Sequence, residues 1–393
     1  MVLTLARRAP IFGFPPHSFR MSASRTFHQP EISRPASADE WDRIVGACDH
    51  ATVFHTRAWA EVTAATPNPA FAGRTGRARA WYIRFGDGAE AVLPSVAYTF
   101  VRRCFRYHQT GPGATYGGWI GNETFALDHE TAAWNVLPWS NFELRRNPYG
   151  RRDVERITRR SVATYPDVTY TLDLRAGYDA IEADWRRRKA QVWINARRGE
   201  KNGIRVVEAS SEAAWREFYA LYEENSKRWT APLLHPLASL LGLRTRLGDR
   251  AHLWLGLRGD RIVAGEVALV HRRHMAGLVR AALPEGYKAN APALVDVHTV
   301  RHYCERGLRW FDMDASGDNE GAIRHKLSFG ATALDASLDV YRSRGYMLLR
   351  RLIVRRSATS VVDDTNPSPS SASPLPLASI RPSAASPTPP RLT

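Results

Sequence analysis

Two carboxylates close together in the sequence are the first candidates for chemistry. Asp312 and Asp314 alternate with Phe311 and Met313 in a stretch that is typical of a β-strand. Because successive side chains of a strand point to opposite faces, both carboxylates are predicted to lie on one face. One of them could act as a base or orient an incoming amine. The alternative is a polar strand face that is exposed to water.

A lysine and a third carboxylate extend this set. Lys326 is a cation that could stabilise negative charge on a reacting carbonyl oxygen or bind a donor phosphate, or it could be a solvated surface lysine. Glu266 interrupts an apolar strand pattern, so its carboxylate lies either on an open face or in a cleft. The sequence contains no zinc-protease, serine-hydrolase or nucleotide-hydrolase motif, which leaves those activities without support.

The elements that must position these residues are predicted from local patterns. An apolar hairpin turns at Gly259, and a third strand covers Met275–Leu283. A helix is expected to begin near Pro292 and to end at Gly307, and the strand with Asp312 follows. The loop before this helix could offer backbone N–H groups to a phosphate or a carbonyl.

The two halves of the chain repeat one order of elements. An amphipathic helix carries Trp41 in the first half and Trp215 in the second, and a hairpin follows at Gly86 and at Gly259, at almost the same offset. This predicts duplication of a mixed α/β unit, in an order compatible with an acetyltransferase-like (GNAT) unit. The alternative is a chance similarity of two α/β halves.

Bulk properties limit the partners and the location. The chain has 393 residues and a net charge of +16, which favours RNA, an anionic membrane face or a phosphate-bearing molecule, unless the charge is only a general surface bias. Cys48, Cys104 and Cys304 form no CxxC pair, which argues against disulfides and zinc and favours the cytoplasm. No apolar run is long enough for a membrane span, although peripheral membrane contact stays open.

The chain ends differ from the middle. Residues 1–29 are expected to be a leader or an over-long start, and residues 356–393 are rich in serine and proline and are predicted to be disordered. Between them we predict a first GNAT-like domain at 30–165 and a second, catalytic one at 166–355.

Four segments resemble the sequence pattern of FemAB-type transferases. They are Val53–Trp59, Trp185–Ile204, Gly286–Pro292 and Phe311–Ala331. The resemblance implies two tandem GNAT-like domains of α/β (α+β) class, each a mixed twisted sheet flanked by helices. It also implies transfer of an amino acid from aminoacyl-tRNA to an amine on a cell-wall precursor, although relatives of this shape include acyl-CoA-dependent acetyltransferases.

The resemblance therefore implies an acyltransferase with no bound cofactor or metal. Its acyl donor is either acyl-CoA or aminoacyl-tRNA, and its acceptor is a small-molecule or lipid-linked amine. Lys326 matches the lysine of the family pattern. The residues expected to bind substrate are aromatic or charged, with core packing, turns or a solvated face as the alternative; they are Trp59, Tyr116, Arg188, Tyr222, Arg228, Glu266, Tyr287 and Lys288.

Several departures from the family pattern keep a second hypothesis open. Asp314 replaces the usual glycine, and His325 replaces the phenylalanine before the lysine. The acetyl-CoA loop is missing, and Gly286 is the one glycine where a pyrophosphate cradle would need several. The alternative is a non-catalytic nucleic-acid- or envelope-binding protein that keeps the fold.

Overall fold

The structure is a computed structural model, and it describes residues 29–71, 73–100, 105–113, 115–150, 163–227, 235–316 and 319–348. Up to Ser343 the chain forms one compact unit, and a second unit begins at Arg344. The expectations for the leader and the tail, and those for Cys104 and Arg228, lie outside the described residues. None of the helices in the described ranges has the length and apolar character that a membrane span requires.

The first half of the chain contains a group of short strands and three α-helices among its described residues. In chain order they are β1 (Pro30–Pro35), α1 (Ala38–Ala47), α2 (Arg57–Ala65), β2 (Arg77–Phe85), β3 (Glu90–Phe100), β4 (Phe105–Gln109), β5 (Ile120–Gly121), α3 (Leu127–Val136), β6 (Phe142–Arg145) and β7 (Ala163–Tyr165). Ser37 begins α1 with a capping box to Glu40, as the sequence predicts, and the helix buries Trp41.

The second half continues with the same kinds of element. They are β8 (Val168–Asp173), α4 (Tyr178–Arg188), α5 (Gln191–Lys201), β9 (Ile204–Glu208), α6 (Glu212–Ser226), α7 (Leu237–Leu247), β10 (Ala251–Arg258), β11 (Arg261–His271), β12 (His274–Ala282), α8 (Pro284–Lys288), α9 (Ala291–Glu305), β13 (Trp310–Ala315), α10 (Glu320–Ser328), β14 (Thr332–Asp335) and β15 (Leu338–Tyr341). The predicted hairpin, third strand and following helix are confirmed, with Gly307 at a φ of 72° just beyond α9.

The strands form two sheets of the same design. One has the order β1-β2-β3-β4-β6-β15-β7, with β5 beside β3, and the other has the order β9-β10-β11-β12-β13-β8-β14. In each sheet four antiparallel strands are followed by one parallel pair, β4 with β6 and β12 with β13. The predicted α/β fold of two similar GNAT-like units is therefore confirmed.

A single antiparallel ribbon runs from one sheet into the other. Its β7 part pairs with β15 in the first sheet, and its β8 part pairs with β14 in the second. Between them the Ala336 N–H donates to the Asp167 carbonyl oxygen at 3.0 Å, so the ladder continues across the junction. The predicted division at residue 165 stays a prediction, but β15, assigned to the second domain, lies in the first sheet.

The two halves share an apolar cluster. Phe54, Trp59 and Tyr116 of the first half pack in one cluster with Trp215 and Phe218 of α6. Large aromatic side chains bury much apolar surface and prefer edge-to-face contacts, as Phe54 makes with Trp59 at a ring separation of 5.0 Å. This packing fixes the first half against the face of the second sheet.

A substitution at Tyr341 can test whether β15 stabilises the first sheet. Its ring is buried and stacks on Phe142 at 4.4 Å between ring centres. We expect Tyr341→Ala to lower the free energy of unfolding by about 3 kcal/mol, because it removes a large buried ring and leaves a cavity. Urea unfolding measures this loss. Val136→Ala, at a residue that is 41% exposed, is the control and should change stability by less than about 0.5 kcal/mol.

Candidate active site

A cavity lies where β12 and β13 stop pairing. The two parallel strands pair only over His274–Ala276 and Trp310–Asp312. Beside the unpaired parts lies a cavity of about 150 Å³. Its lining residues are Phe54, Gly113 and Thr115 from the first half, and Tyr222, His235, Ala276, Gly277, Leu278, Val279, Arg280, Asp312 and Asp314 from the second. An apolar wall with a few converging polar groups is typical of a small-molecule site.

Asp312 is a buried carboxylate in the wall of this cavity. Its Oδ1 accepts hydrogen bonds from the Thr169 hydroxyl at 2.7 Å and from the Asp314 N–H at 2.8 Å. Its Oδ2 is also buried and has no hydrogen-bond partner among the residues that the structure describes. Burial raises the pKa of Asp312, which Thr169 and the Asp314 N–H partly oppose. Oδ2 is therefore available to a donor in the cavity.

Asp314 does not continue the regular alternation of β13. Its φ is 65°, and the pairing of β13 with β8 shifts register between Asp312 and Ala315. The expectation that both carboxylates lie on one face of a regular strand is therefore wrong, although both line the cavity. Asp314 Oδ1 accepts the Ala315 N–H at 2.7 Å, a local contact that helps aspartate adopt this left-handed conformation.

The left-handed turn explains the departure from the family pattern. Glycine adopts a positive φ without strain, and Asp314 takes the same backbone conformation at the position where the pattern has glycine. Asp314 is exposed at the cavity mouth. Partial desolvation by the surrounding protein, together with the Asp312 carboxylate, raises the pKa of Asp314 to about 6. A carboxylate with such a pKa can accept a proton near neutral pH.

Lys326 lies behind this turn. It is buried on α10, and its Nζ donates to the carbonyl oxygens of Asp314 at 2.6 Å and Ala315 at 3.0 Å. Burial lowers the pKa of Lys326 to about 8, although the Asp314 carboxylate opposes this shift. Lys326 is not among the residues that line the cavity. The geometry therefore favours a positioning role over direct contact with a reacting carbonyl.

Glu266 belongs to a buried ion network. Arg280 Nε donates to Glu266 Oε1 at 2.8 Å and lies 3.4 Å from Asp296 Oδ1. His325 Nε2 lies 3.0 Å from the other Asp296 oxygen, so the residue that replaces the family phenylalanine joins this network. Glu266 is thus buried and not on an open face, and it does not line the cavity itself.

Arg280 is the cavity residue that the sequence interpretation missed. A signal for it was present, because Glu266 and Arg280 are lone charges in two apolar strands joined by a short turn. In the structure they are cross-strand partners of β11 and β12. Tyr149 and Thr171 were also missed. Their hydroxyls lie 2.7 Å apart, and burial raises the pKa of the Tyr149 phenol, with the nearby Asp312 carboxylate adding to that rise.

Three predicted aromatic residues lie at or behind the cavity wall. Tyr222 lines the cavity directly. Trp59 and Tyr116 are buried behind Phe54, which their rings contact at centroid distances of 5.0 and 5.6 Å. The Tyr116 hydroxyl and Trp59 Nε1 have no hydrogen-bond partner within the described ranges. These two residues therefore shape the wall, and Tyr116 adds a buried polar atom near Asp312.

Other predicted residues lie away from the cavity. Arg188 forms an ion pair with Asp184 at 2.6 Å, while Tyr287 and Lys288 lie on α8, and none of the three lines the cavity. Four arginines of the basic run, including Arg188, form ion pairs with acidic residues of their own helices, as in the pairs of Arg186 with Glu182 and Arg197 with Glu200. This reduces its free positive charge.

The connection before α9 is helical and not an open loop. The N–H groups of Tyr287, Ala289 and Asn290 donate to the carbonyl oxygens of Leu283, Glu285 and Tyr287, respectively. These three N–H groups are therefore not free to bind a phosphate. On the neighbouring helix α5, a side chain at Gly199 would lie only 3.0 Å from the Asn290 carbonyl oxygen, which shows how closely α5 covers the start of α9. The expectation that backbone N–H groups before α9 bind a phosphate is thus not met by these three groups, and it stays a prediction for the others.

Comparisons with known proteins agree with this architecture. Residues 186–326 match the family model of the acetyltransferase (GNAT) domain. The crystal structure of FemX is similar with a TM-score of 0.61 at 12% identity, over 82% of this chain and 99% of that chain. A conserved protein of unknown function from Bacteroides thetaiotaomicron VPI-5482 is similar with a TM-score of 0.50 at 12% identity, over 79% and 99%. No curated protein matches the chain.

The chain therefore has a tandem GNAT-like fold. This fold is similar to that of FemX, so the FemAB resemblance inferred from four sequence segments is confirmed at the level of fold. At 12% identity the likeness to FemX establishes the fold and leaves substrates to be argued from this chain's own residues.

The left-handed turn can be tested by stability. We expect Asp314→Gly to leave the free energy of unfolding within about 1 kcal/mol of the wild type, since glycine fits the positive φ. Asp314→Val should cost at least about 1–2 kcal/mol, because a β-branched residue is strained there. Chemical denaturation measures both, and equal stability of the two variants would show that the turn does not hold a positive φ.

Proposed function

We propose that this protein is an acyltransferase that moves an acyl or aminoacyl group onto an amine acceptor. The observation that carries the proposal is the cavity shared by both halves, in which Asp314 has a raised pKa of about 6 beside the unpaired Asp312 Oδ2. Such carboxylates attract an ammonium group and can take its proton. The GNAT match of residues 186–326 supports this class of reaction.

The proposed reaction has three steps. Asp314 accepts a proton from the acceptor ammonium, and the free amine attacks the carbonyl carbon of the donor, so that a C–N bond forms. The carbonyl oxygen becomes negative in the tetrahedral intermediate. The bond from carbon to the donor oxygen or sulfur then breaks, and the leaving group takes up the proton that Asp314 received. The nitrogen of the new C–N bond still carries one proton more than an amide, and Asp314, again deprotonated, accepts this proton and releases it to water. Holding both reactants in one small cavity supplies proximity.

Lys326 acts in this scheme by positioning Asp314. Its ammonium holds the carbonyl oxygens of Asp314 and Ala315, which fixes the turn that aims the carboxylate at the cavity mouth. Its charge also lowers the pKa of Asp314, against the effects of desolvation and Asp312. Lys326 thereby keeps part of the Asp314 population deprotonated at neutral pH.

The donor is proposed to be an aminoacyl-tRNA in preference to an acyl-CoA. Three backbone N–H groups before α9 donate to carbonyl oxygens of Leu283, Glu285 and Tyr287, and α5 lies close over the start of α9, which leaves fewer donors for a CoA pyrophosphate there. The net charge of +16 favours a polyanionic donor. The FemAB resemblance further supports a cytoplasmic enzyme and a small-molecule or lipid-linked amine acceptor, such as a cell-envelope precursor.

Mass spectrometry of products tests the reaction and the donor together. The purified full chain is offered charged tRNAs or acyl-CoAs with a panel of amine acceptors. We expect aminoacylated amine from charged tRNA, and a loss of roughly 10²-fold in turnover for Lys326→Met. Lys227→Met, at an exposed lysine that pairs with Glu224, is the matched control and should retain full turnover.

Two outcomes would redirect this proposal. Product from acyl-CoA alone would replace the donor and keep the reaction class. No product from any donor, combined with tRNA retention on filters that falls steeply with added salt, would instead support the non-catalytic binding protein.

The pH dependence of turnover provides an independent check. Asp314 must be deprotonated and Lys326 protonated, so turnover should rise as pH increases through about 6 and fall as pH passes about 8. Asp314→Asn should lose the acidic limb. Lys326→Met should shift that limb to higher pH, since it removes a charge that lowers the pKa of Asp314.

Asp128→Asn, on an exposed residue of α3, is the control for these profiles and should reproduce the wild-type curve. An acidic limb that persists unchanged in Asp314→Asn would exclude Asp314 as the base.

A further inference from the structure

Arg280 contributes a rigidly held guanidinium to the cavity wall. Its Nε is bound by Glu266 at 2.8 Å and lies 3.4 Å from Asp296, both of which are almost fully buried. Its guanidinium carbon also lies 5.4 Å from the centre of the Phe311 ring. Contacts on one edge and one face fix the plane of the guanidinium fork, so the remaining nitrogens have a defined direction.

One nitrogen of this fork is left over. Nη2 of Arg280 is buried and has no hydrogen-bond partner among the described residues. An unsatisfied buried guanidinium donor is costly, and its presence in a cavity wall points to a ligand atom that completes it. Lys326 does not serve the same purpose, because it is not among the lining residues and its ammonium is bound to the backbone carbonyl oxygens of Asp314 and Ala315.

The backbone beside Nη2 is kept free of side-chain atoms. Gly277 also lines the cavity, and a Cβ atom added there would lie 3.3 Å from Arg280 Nη2 and 2.5 Å from Glu266 Oε1. A larger residue would therefore push against the ion pair and fill the space next to the free nitrogen. Glycine at this position lets the ion pair of Glu266 and Arg280 pack directly against the strand backbone in the cavity wall.

Arg280 carries one positive charge, and two buried carboxylates flank it. Burial raises the pKa of Glu266, so a protonated Glu266 leaves Asp296 to balance the guanidinium, and Nη2 offers a hydrogen bond and not a surplus of charge. His325 contacts Asp296 from α10, and Asp314 lies near enough to contribute to the raised pKa of Arg280. A ligand that brings an oxygen to Nη2 and an ammonium to Asp312 and Asp314 complements both signs.

We propose that Arg280 Nη2 binds the carbonyl oxygen of the acyl group in the cavity and stabilises its negative charge during transfer. The inference rests on the proposed acyl transfer and adds a residue that touches the reacting atoms. Glu266 and Asp296 are positioning residues that hold the fork. A donor that is already in place needs no rearrangement as the oxygen gains charge, which is the source of large rate effects in such sites.

A binding experiment tests the subsite without any turnover. Acetate is the probe, since its planar carboxylate mimics a negatively charged acyl oxygen, and neutral acetamide of the same shape is the comparison. Full-length protein with [15N]arginine is titrated by NMR, and the Arg280 Nε–H signal is assigned by its absence in Arg280→Lys. We expect a saturable shift of this signal with acetate and a much weaker one with acetamide.

Variants keep the binding result interpretable. Arg280→Lys retains a charge for Glu266 and Asp296 but lacks the second nitrogen, so acetate affinity, followed by protection against thermal unfolding, should fall at least tenfold. The double variant Glu266→Gln/Arg280→Met should also lose at least tenfold in acetate affinity. It removes the Glu266 charge together with the Arg280 charge, so it does not leave the Glu266 carboxylate buried without its cation. Arg324→Lys, at a residue with a 72% exposed side chain, is the control and should bind acetate as the wild type does. Equal acetate binding by Arg280→Lys and the wild type would overturn the assignment.

Kinetics with the identified donor and amine form the second arm. Arg280→Lys should lower kcat by roughly 10²–10³-fold with little change in the KM of the amine, since the contact strengthens as negative charge develops. The acidic limb of the pH profile should remain, because Asp314 is intact. Unchanged kcat would overturn the inference. Saturable acetate binding at Arg280 in a protein without any turnover would support the subsite while refuting the proposed reaction, so the two failures are distinguishable.

Discussion

The antiparallel ribbon that joins β7–β8 to β14–β15 fixes the geometry on which the site depends. Its backbone hydrogen bonds pass from one sheet into the other without a break at Ala336 and Asp167. Because each end is a strand inside a larger sheet, neither half can rotate without breaking ladder hydrogen bonds. The same ribbon contains Thr169, whose hydroxyl donates to Asp312. The strands that connect the two halves therefore also position the carboxylate of the cavity.

The cavity concentrates groups whose burial is costly. Asp312, Glu266 and Asp296 are each at most 3% exposed, and Arg280 forms ion pairs with Glu266 and Asp296. Replacing such a set by apolar residues is often neutral or stabilising, so a buried ion network is weak evidence for stability alone. Its position at the point where β12 and β13 separate is better explained by ligand binding, which needs polar atoms that the fold itself leaves unsatisfied.

Much of the fold could be predicted because its signals are local. The capping box at Ser37, the glycine turn at Gly259 and the helix from Pro292 to Gly307 depend on neighbouring residues, and each is present. The ribbon could not be predicted, since it pairs segments on opposite sides of the second half. For the site, Asp312, Asp314 and Tyr222 were found from strand and helix patterns, and all three line the cavity.

Where prediction failed, a local rule was overridden by a tertiary contact. Regular alternation along β13 predicts one face for both carboxylates, but Lys326 holds the carbonyl of Asp314 in a left-handed turn that this rule does not contain. The same contact also changes the role that is assigned to Lys326. A lysine expected to face the substrate is bound to backbone, and among the described residues Arg280 has the free donor in the cavity wall, on the strand next to the motif that drew attention to the lysine. A short sequence motif can thus mark a site correctly while its most noticeable residue acts by positioning a neighbour.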